Sequence, residues 1–227
     1  MKKSRILRGN IYVVLTFCSF LFLTLFQSVH SQIYAGIGLD GIKGFTVVNP
    51  YAGMSLLLEK QDDEHSMYAR FCTTLNKKEK QESLSYLIND YSIPDSINAN
   101  LTYRYNTLEI GRRNFYGNDL EYGLGFFTAE HVTISYNRVG INLLNAPSNY
   151  SLPSLFPSSG NVLSFAIGAN AGVQYAFVRG ILFSEIGFNY SLTGGMPNNA
   201  TAQITSSYSG ITFTANFGVK KMIRYDY

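Results

Sequence analysis

The chain has 227 residues, of which 46% are hydrophobic, 15% aromatic and only 15% charged, with 20 Gly and a formal net charge of +3. This length predicts one domain, or at most two small ones, and so high a hydrophobic fraction with so few charges excludes a disordered chain. Since no basic patch is present, the composition also argues against a nucleic-acid-binding protein.

The N-terminal segment 1–31 has the layout of a secretory signal peptide. A basic start with Lys2, Lys3, Arg5 and Arg8 precedes an apolar run at 11–26, and small or tolerated residues lie before a cleavage point after Ser31. The run is short for a spanning helix, which needs about 20 residues. Cleavage would leave 14 basic and 15 acidic residues and one cysteine, Cys72. The mature chain therefore shows no sign of a polyanionic partner and has no intramolecular disulfide.

The mature chain alternates apolar and polar residues with a period of two, the pattern of strands with two different faces. Eight strands are predicted in chain order, at 33–40, 52–59, 67–75, 101–111, 120–126, 166–177, 182–192 and 208–227. Val132, Ile134 and Tyr136 continue the alternation of 120–126, which favours one long strand there. An extra hairpin within 129–145 would instead make ten strands.

Three features favour a barrel over a soluble β-sandwich, which also alternates. The polar face is crowded with Gly, Ser and Asn, which suit the narrow interior of an eight-stranded barrel. Short connections near 61–65, 112–119 and 178–180 alternate with longer ones at 41–50, 76–100, 129–160 and 193–203, as in outer-membrane barrels. The last strand is aromatic. The sequence therefore predicts an all-β, eight-stranded antiparallel transmembrane barrel over 32–227.

With this signal peptide, strand pattern and terminal stretch 218–227, the mature chain resembles the small outer-membrane β-barrels of the OmpA/OmpX type, particularly those of Bacteroidetes. In that family the barrel-assembly machinery reads the last strand and its aromatic end. The resemblance implies an assembly signal formed by Gly218, Ile223, Tyr225 and Tyr227. It also implies a place in the bacterial outer membrane, with membrane lipid and the assembly machinery as partners.

Seven charged residues are predicted to point into the barrel: Asp40, Glu59, Arg70, Glu109, Glu121, Glu185 and Lys220. Because an unpaired buried charge is costly, we expect acids and bases to pair as a polar plug. A catalytic or ion-conducting set is the alternative.

His131, Ser135 and the adjacent Glu130 invite comparison with the Ser-His-acid sites of lipid A deacylase barrels. Four residues of strand separate His131 from Ser135 by about 13 Å, beyond direct contact. We therefore expect no catalytic site, and we expect His131 to lie on an exposed extension of its strand. No cofactor or metal motif is present.

Leu84, Leu87, Ile88 and Tyr91 lie in the connection 76–100 at helical spacing, which predicts a short amphipathic helix. It would cover the loop's own surface, or it would form a docking stripe for a partner protein or lipid.

The sequence as a whole favours a non-enzymatic outer-membrane barrel with a structural or surface-interaction role carried by its long loops. An accessory subunit of a larger outer-membrane secretion or uptake complex, bound to another outer-membrane protein, is the first alternative. A lipid A-modifying enzyme is the second.

Overall fold

The structure is a computed structural model that describes residues 31–44, 51–62, 64–87, 90–117, 122–143, 150–151, 159–192 and 211–226. These residues form ten β-strands, and none of them belongs to a helix long and apolar enough to cross a membrane. The strands are β1 Ser31–Gly44, β2 Tyr51–Gln61, β3 His65–Thr74, β4 Lys77–Leu87, β5 Asp90–Tyr116, β6 Gly123–Leu143, β7 Tyr150–Ser151, β8 Ser159–Phe177, β9 Gly180–Ser191 and β10 Ile211–Asp226.

Eight of these strands close into an antiparallel barrel, which confirms the predicted fold class. The order around the barrel is β3-β2-β1-β10-β9-β8-β6-β5, and β5 pairs back with β3. The segment 123–143 forms the single long strand β6, so the alternative of ten barrel strands is wrong. The strands β4 and β7 lie outside the ring, since β4 pairs within the described residues with β5 and β7 and with no other strand.

The register sets the stagger of the barrel. The pairing can be followed from Ile37, strand by strand, in both directions around the ring. The path through β10, β9 and β8 reaches β6 at Leu124, and the path through β2, β3 and β5 reaches it at Ile134. This offset of ten residues is the shear, and it corresponds to strands tilted by about 40° from the barrel axis.

The connections differ at the two ends of the barrel. Three short connections, 62–64, 117–122 and 178–179, lie at the end where the described chain begins and finishes. The connection predicted at 112–119 begins only after Tyr116, because β5 continues through Arg112 and Arg113 in register with β3 and β6. We call this end the turn end and the opposite one the loop end.

At the loop end, several strands continue beyond the ring. Pairs between β5 and β6 extend to Ala99 and Leu143, and pairs between β6 and β8 extend to Gly140 and Ser159. The strand β4 adds to the upper part of β5, and β7 adds to β4. We call this extension, formed by β4, β7 and the upper parts of β5, β6 and β8, the loop-side sheet.

The short helix predicted around Leu84–Tyr91 is wrong. Leu84 and Leu87 lie on β4, Tyr91 lies on β5, and Ile88 is outside the described residues. The upper part of β5 offers a free strand edge, and pairing along it satisfies the backbone of 77–87. Tertiary pairing therefore overrides the local helical spacing.

Polarity is inverted relative to a soluble protein. Exposed and buried residues alternate along the strands, and the exposed positions are mostly apolar, for example Leu39 at 63% and Ile186 at 68% exposure. The buried positions hold the polar and charged residues together with a hydrophobic cluster. We call it the aromatic cluster because four of its six members are aromatic: Leu57, Tyr68, Phe115, Phe127, Ala129 and Phe183.

Strict alternation ends near the last residues of β10. Tyr34 pairs with Met222 but Ile33 pairs with Arg224, so Ile223 is the extra residue of a β-bulge. Of the predicted assembly residues, Gly218 is buried on β10, Ile223 is exposed at the bulge and Tyr225 lies in β10. Tyr227 is outside the described residues.

Candidate functional site

Glu59 on β2 is fully buried and is the meeting point of two cations. Its Oε2 lies 2.7 Å from Arg113 Nη1 and 2.9 Å from Lys220 Nζ. Ser66 Oγ donates a 2.6 Å hydrogen bond to Oε1 of the same carboxylate. Three strands, β3, β5 and β10, thus send donors to one carboxylate on a fourth strand.

A second group of ion pairs continues from Arg113 toward the loop end. Arg113 Nη2 lies 2.9 Å from Glu185 Oε2, and Arg70 Nη1 contacts the other oxygen of Glu185. Arg70 Nη2 also donates to both oxygens of Glu109, at 2.8 and 2.7 Å. Tyr68 donates a further hydrogen bond of 2.5 Å to Glu109 Oε1. Opposite charges therefore alternate without a break from Lys220 to Glu109.

Arg113 is the centre of this network, although it was not among the interior charges predicted from the sequence. Its guanidinium carbon lies 4.4 Å from the ring centre of Tyr68, 4.8 Å from that of Phe127 and 5.5 Å from that of Phe183. Aromatic faces attract a planar cation most strongly where water is excluded. The aromatic cluster and the ion pairs are thus parts of one packed layer across the barrel.

His131 is buried in the barrel, which corrects the prediction of an exposed strand extension. Its Nε2 donates a 2.6 Å hydrogen bond to Asn189 Oδ1, and its Nδ1 lies 3.5 Å from Glu109 Oε1. Gly168 on β8 makes room for the ring, since a Cβ atom there would overlap the imidazole Nε2, whereas a Cβ atom at Gly111 on β5 would overlap Glu130 O and the Cβ of His131. The alternation of β6 could have identified this inward position.

The Ser-His-acid grouping that the sequence invites, and that was not expected to be catalytic, does not form one site. His131 and Ser135 are both buried on the inner face of β6, whereas Glu130 is exposed on the outer face. The acid nearest to His131 among the described residues is Glu109, which is already paired with Arg70. A catalytic set requires its nucleophile, base and acid within hydrogen-bond reach of one another. Glu130 does not meet this requirement, because it lies on the opposite face of β6 from His131 and Ser135.

Asp40 lies nearer the loop end, beside a small polar cavity of about 30 Å³ that is also lined by Arg70, Cys72 and several Ser and Thr residues. This is room for about two water molecules. Glu121, the remaining predicted interior charge, is outside the described residues. The structure therefore places Asp40, Glu59, Arg70, Glu109, Glu185 and Lys220 inside the barrel and adds Arg113 and His131.

The outer wall carries a polar area on β5 and β6 amid its apolar residues. Arg112 on β5 is paired in register with Glu130 on β6, and Asn114 is paired with Thr128 in the next row. Arg112, Glu130 and Thr128 are exposed and Asn114 is half-buried, with Thr128 Oγ1 also 3.2 Å from the hydroxyl of Tyr116. We call these four residues the wall patch.

The comparisons with known proteins concern the fold alone. No protein-family model and no curated protein matches the chain. Among solved structures, it is similar to Ail, the attachment invasion locus protein of Yersinia pestis, in complex with the heparin analogue sucrose octasulfate. The identity is 10% and the TM-score 0.45, over 86% of this chain and 98% of that one.

Two further solved structures are similar in the same way. Neisserial surface protein A matches with 14% identity and a TM-score of 0.43, over 86% of this chain and 97% of that one. A major outer membrane protein from Thermus thermophilus matches with 12% identity and a TM-score of 0.46, over 83% of this chain and 99% of that one.

Proposed function

We propose that the protein is a closed, non-enzymatic outer-membrane β-barrel with a structural or surface-interaction role. The observation that carries this proposal is the combination of an apolar outer wall with an ion-paired interior. Exposed Leu, Ile and Phe side chains around the ring would be unfavourable in water but suit lipid.

The height of the apolar wall fits a bilayer. On the outer face of β5 and β6, rows of paired residues run from Tyr116 and Phe126 at the turn end to Asn106 and Tyr136 at the loop end. Ten residues along tilted strands span about 25 Å, the height of the apolar band of outer-membrane barrels. Aromatic residues at both limits are typical of the membrane interfaces.

Orientation and export follow from the same proposal. The segment 1–31 would direct export and be removed, and β10 would carry the signal for the assembly machinery. In bacterial outer-membrane barrels, short turns face the periplasm and longer loops face the exterior. The loop-side sheet would then lie outside the cell and provide the contact surface in place of a helical docking stripe.

The location is tested by fractionation of cells that produce the full chain. We expect the protein in the outer membrane, and we expect boiled and unboiled samples to migrate differently on an SDS gel because a closed barrel resists SDS. Protein that is soluble without detergent would contradict the proposal.

The interaction role is tested by shortening the loop-side sheet in register. Lys80 pairs with Asn100, so 81–99 can be replaced by an Asn-Gly turn that joins these two residues. We expect this variant to remain a barrel that migrates differently with and without boiling. We also expect it to lose the contacts with other molecules that photo-crosslinkers placed on the loop-side sheet detect on intact cells. Unchanged cell-surface crosslinks from the remaining β6 positions would contradict the role of β4.

The alternatives have their own tests. An accessory subunit would purify with a larger complex in mild detergent. A lipid A-modifying enzyme would change the mass spectrum of lipid A between cells with and without the protein, and we expect no change.

A further inference from the structure

The wall patch lies near the middle of the proposed membrane span. Glu130 is four residues from Phe126 and six residues from Tyr136, the aromatic residues that mark the two interfaces on β6. Apolar rows formed by Ile110 with Val132 and by Leu108 with Ile134 separate the patch from the loop end. Charged side chains on a lipid-facing wall are most unfavourable at this depth, so the patch is poorly suited to lipid.

The patch is complementary to itself. Two copies in one membrane share their orientation, so a two-fold axis between them is parallel to the membrane normal. An axis that passes between β5 and β6 would exchange the two strands across the interface. Arg112 of each copy would then face Glu130 of the other, and Asn114 would face Thr128. Each ion pair and each polar pair would occur twice.

The strands beside the patch allow the two walls to approach. On the outer face, Ala69 lies on β3, while Ala169 and Ala171 lie on β8. The same two-fold axis places β3 of one copy opposite β8 of the other. Small side chains on both strands permit close contact between the barrels, as small residues do between membrane helices.

We propose that two copies of this chain associate side by side in the membrane through β5 and β6, with reciprocal Arg112–Glu130 ion pairs at the centre. The proposal rests on the membrane-spanning role given above. A second copy is the partner favoured by the charges, because the patch holds one charge of each sign at adjacent positions and its rotated copy presents the matching pair.

The test measures the protein mass of the mature chain in mild detergent by light scattering over a range of protein concentrations. We expect a mass of two chains. In either Arg112→Glu or Glu130→Arg, position 112 of each copy would face a like charge at position 130 of the other copy, so the repulsion would occur twice in each dimer. Either variant should weaken association about 100-fold or more. The double variant R112E/E130R restores opposite charges and should associate within about threefold of the parent.

Lys221→Glu is the matched control, because Lys221 is an exposed charge on β10, on the opposite side of the ring. This variant should associate like the parent. In a Cys72→Ser background, chains with Ile110→Cys should also crosslink to chains with Val132→Cys through a short bismaleimide. Chains with Leu39→Cys, on the opposite wall, should not.

The outcomes separate this inference from the proposed function. A heat-modifiable barrel that stays monomeric, or whose association is insensitive to R112E and E130R, would overturn the dimer and leave the membrane role intact. A different protein that co-purifies in equal amount and is lost in R112E but not in K221E would also overturn it. A chain that is soluble without detergent would refute the membrane role itself.

Discussion

Arg113 on β5 and Glu59 on β2 form a buried ion pair of 2.7 Å, although β3 separates their strands in the ring. A contact of this kind is not a neighbour contact within the sheet but a link across the barrel interior. Arg113 extends the link to Glu185 on β9, which lies on the far side of the ring. The interior ion pairs thus hold the closed shape from within.

Replacing Arg113 by Met should destabilise the barrel. Glu185 and Glu59 would each lose a partner, and removal of one member of a buried ion pair costs about 3–5 kcal/mol. We expect the free energy of unfolding to decrease by about 3 kcal/mol, the lower end of this range, because Glu59 retains Lys220 and Glu185 retains Arg70 as partners. Urea titration of the protein refolded into lipid vesicles measures this value.

The control for this variant is Arg104→Met, an exposed position on the same strand. We expect a change of at most about 0.5 kcal/mol there. Equal losses at Arg104 and Arg113 would show that the interior ion pairs do not stabilise the barrel.

Gly168→Ala should disturb the site of His131. The added Cβ would overlap both the imidazole Nε2 and Asn189 Oδ1 and would separate the hydrogen bond between them. Overpacking of this kind costs about 1–3 kcal/mol. Gly41→Ala is the matched control, since the nearest atom to its Cβ would be Ala215 O at 3.8 Å. If both variants unfold at the parent's urea concentration, His131 is not confined as described.

Ile186→Arg tests whether the outer wall of the barrel faces lipid. Ile186 is exposed in the middle of β9, and an arginine at the midplane of a lipid-facing wall costs about 2–4 kcal/mol. Leu75→Arg, just beyond the loop end of β3, should cost at most about 1 kcal/mol. The comparison uses unfolding in vesicles of fixed thickness, and a reversed order would contradict the assignment of this face to lipid.

Much of the fold was predictable because a period of two fixes which residues share a face. Glu59, Arg70, Glu109, Glu185 and Lys220 occupy the polar positions of strands that alternate with a period of two, so their inward direction follows from the sequence alone. Which acid pairs with which base does not follow, because the partners lie on strands whose register is set by the closure of the ring.

The three features that were predicted wrongly or not at all from the sequence have local explanations. Arg112-Arg113-Asn114 is a polar run that resembles a turn, so the inward position of Arg113 was not recognised. His131 lies in an alternating strand, but the membrane-spanning part of that strand was predicted to end at 126, so His131 was placed on an extension beyond it. The segment 77–99 has helical spacing of apolar residues, and only the free edge of β5, a tertiary feature, makes it a strand.

The barrel should not conduct ions through a wide, stable pore. An eight-stranded barrel has an interior that side chains fill, whereas channels have about 16 strands. Here the aromatic cluster and the ion pairs from Lys220 to Glu109 cross the interior in one packed layer. We therefore expect no steady openings of nanosiemens size when the pure protein is placed in planar bilayers. Arg113→Met should not create them either, because Phe127, Phe183 and Tyr68 still occupy the layer. Steady large openings of the parent protein, with its heat-modifiable migration intact, would show that the interior layer does not close the barrel.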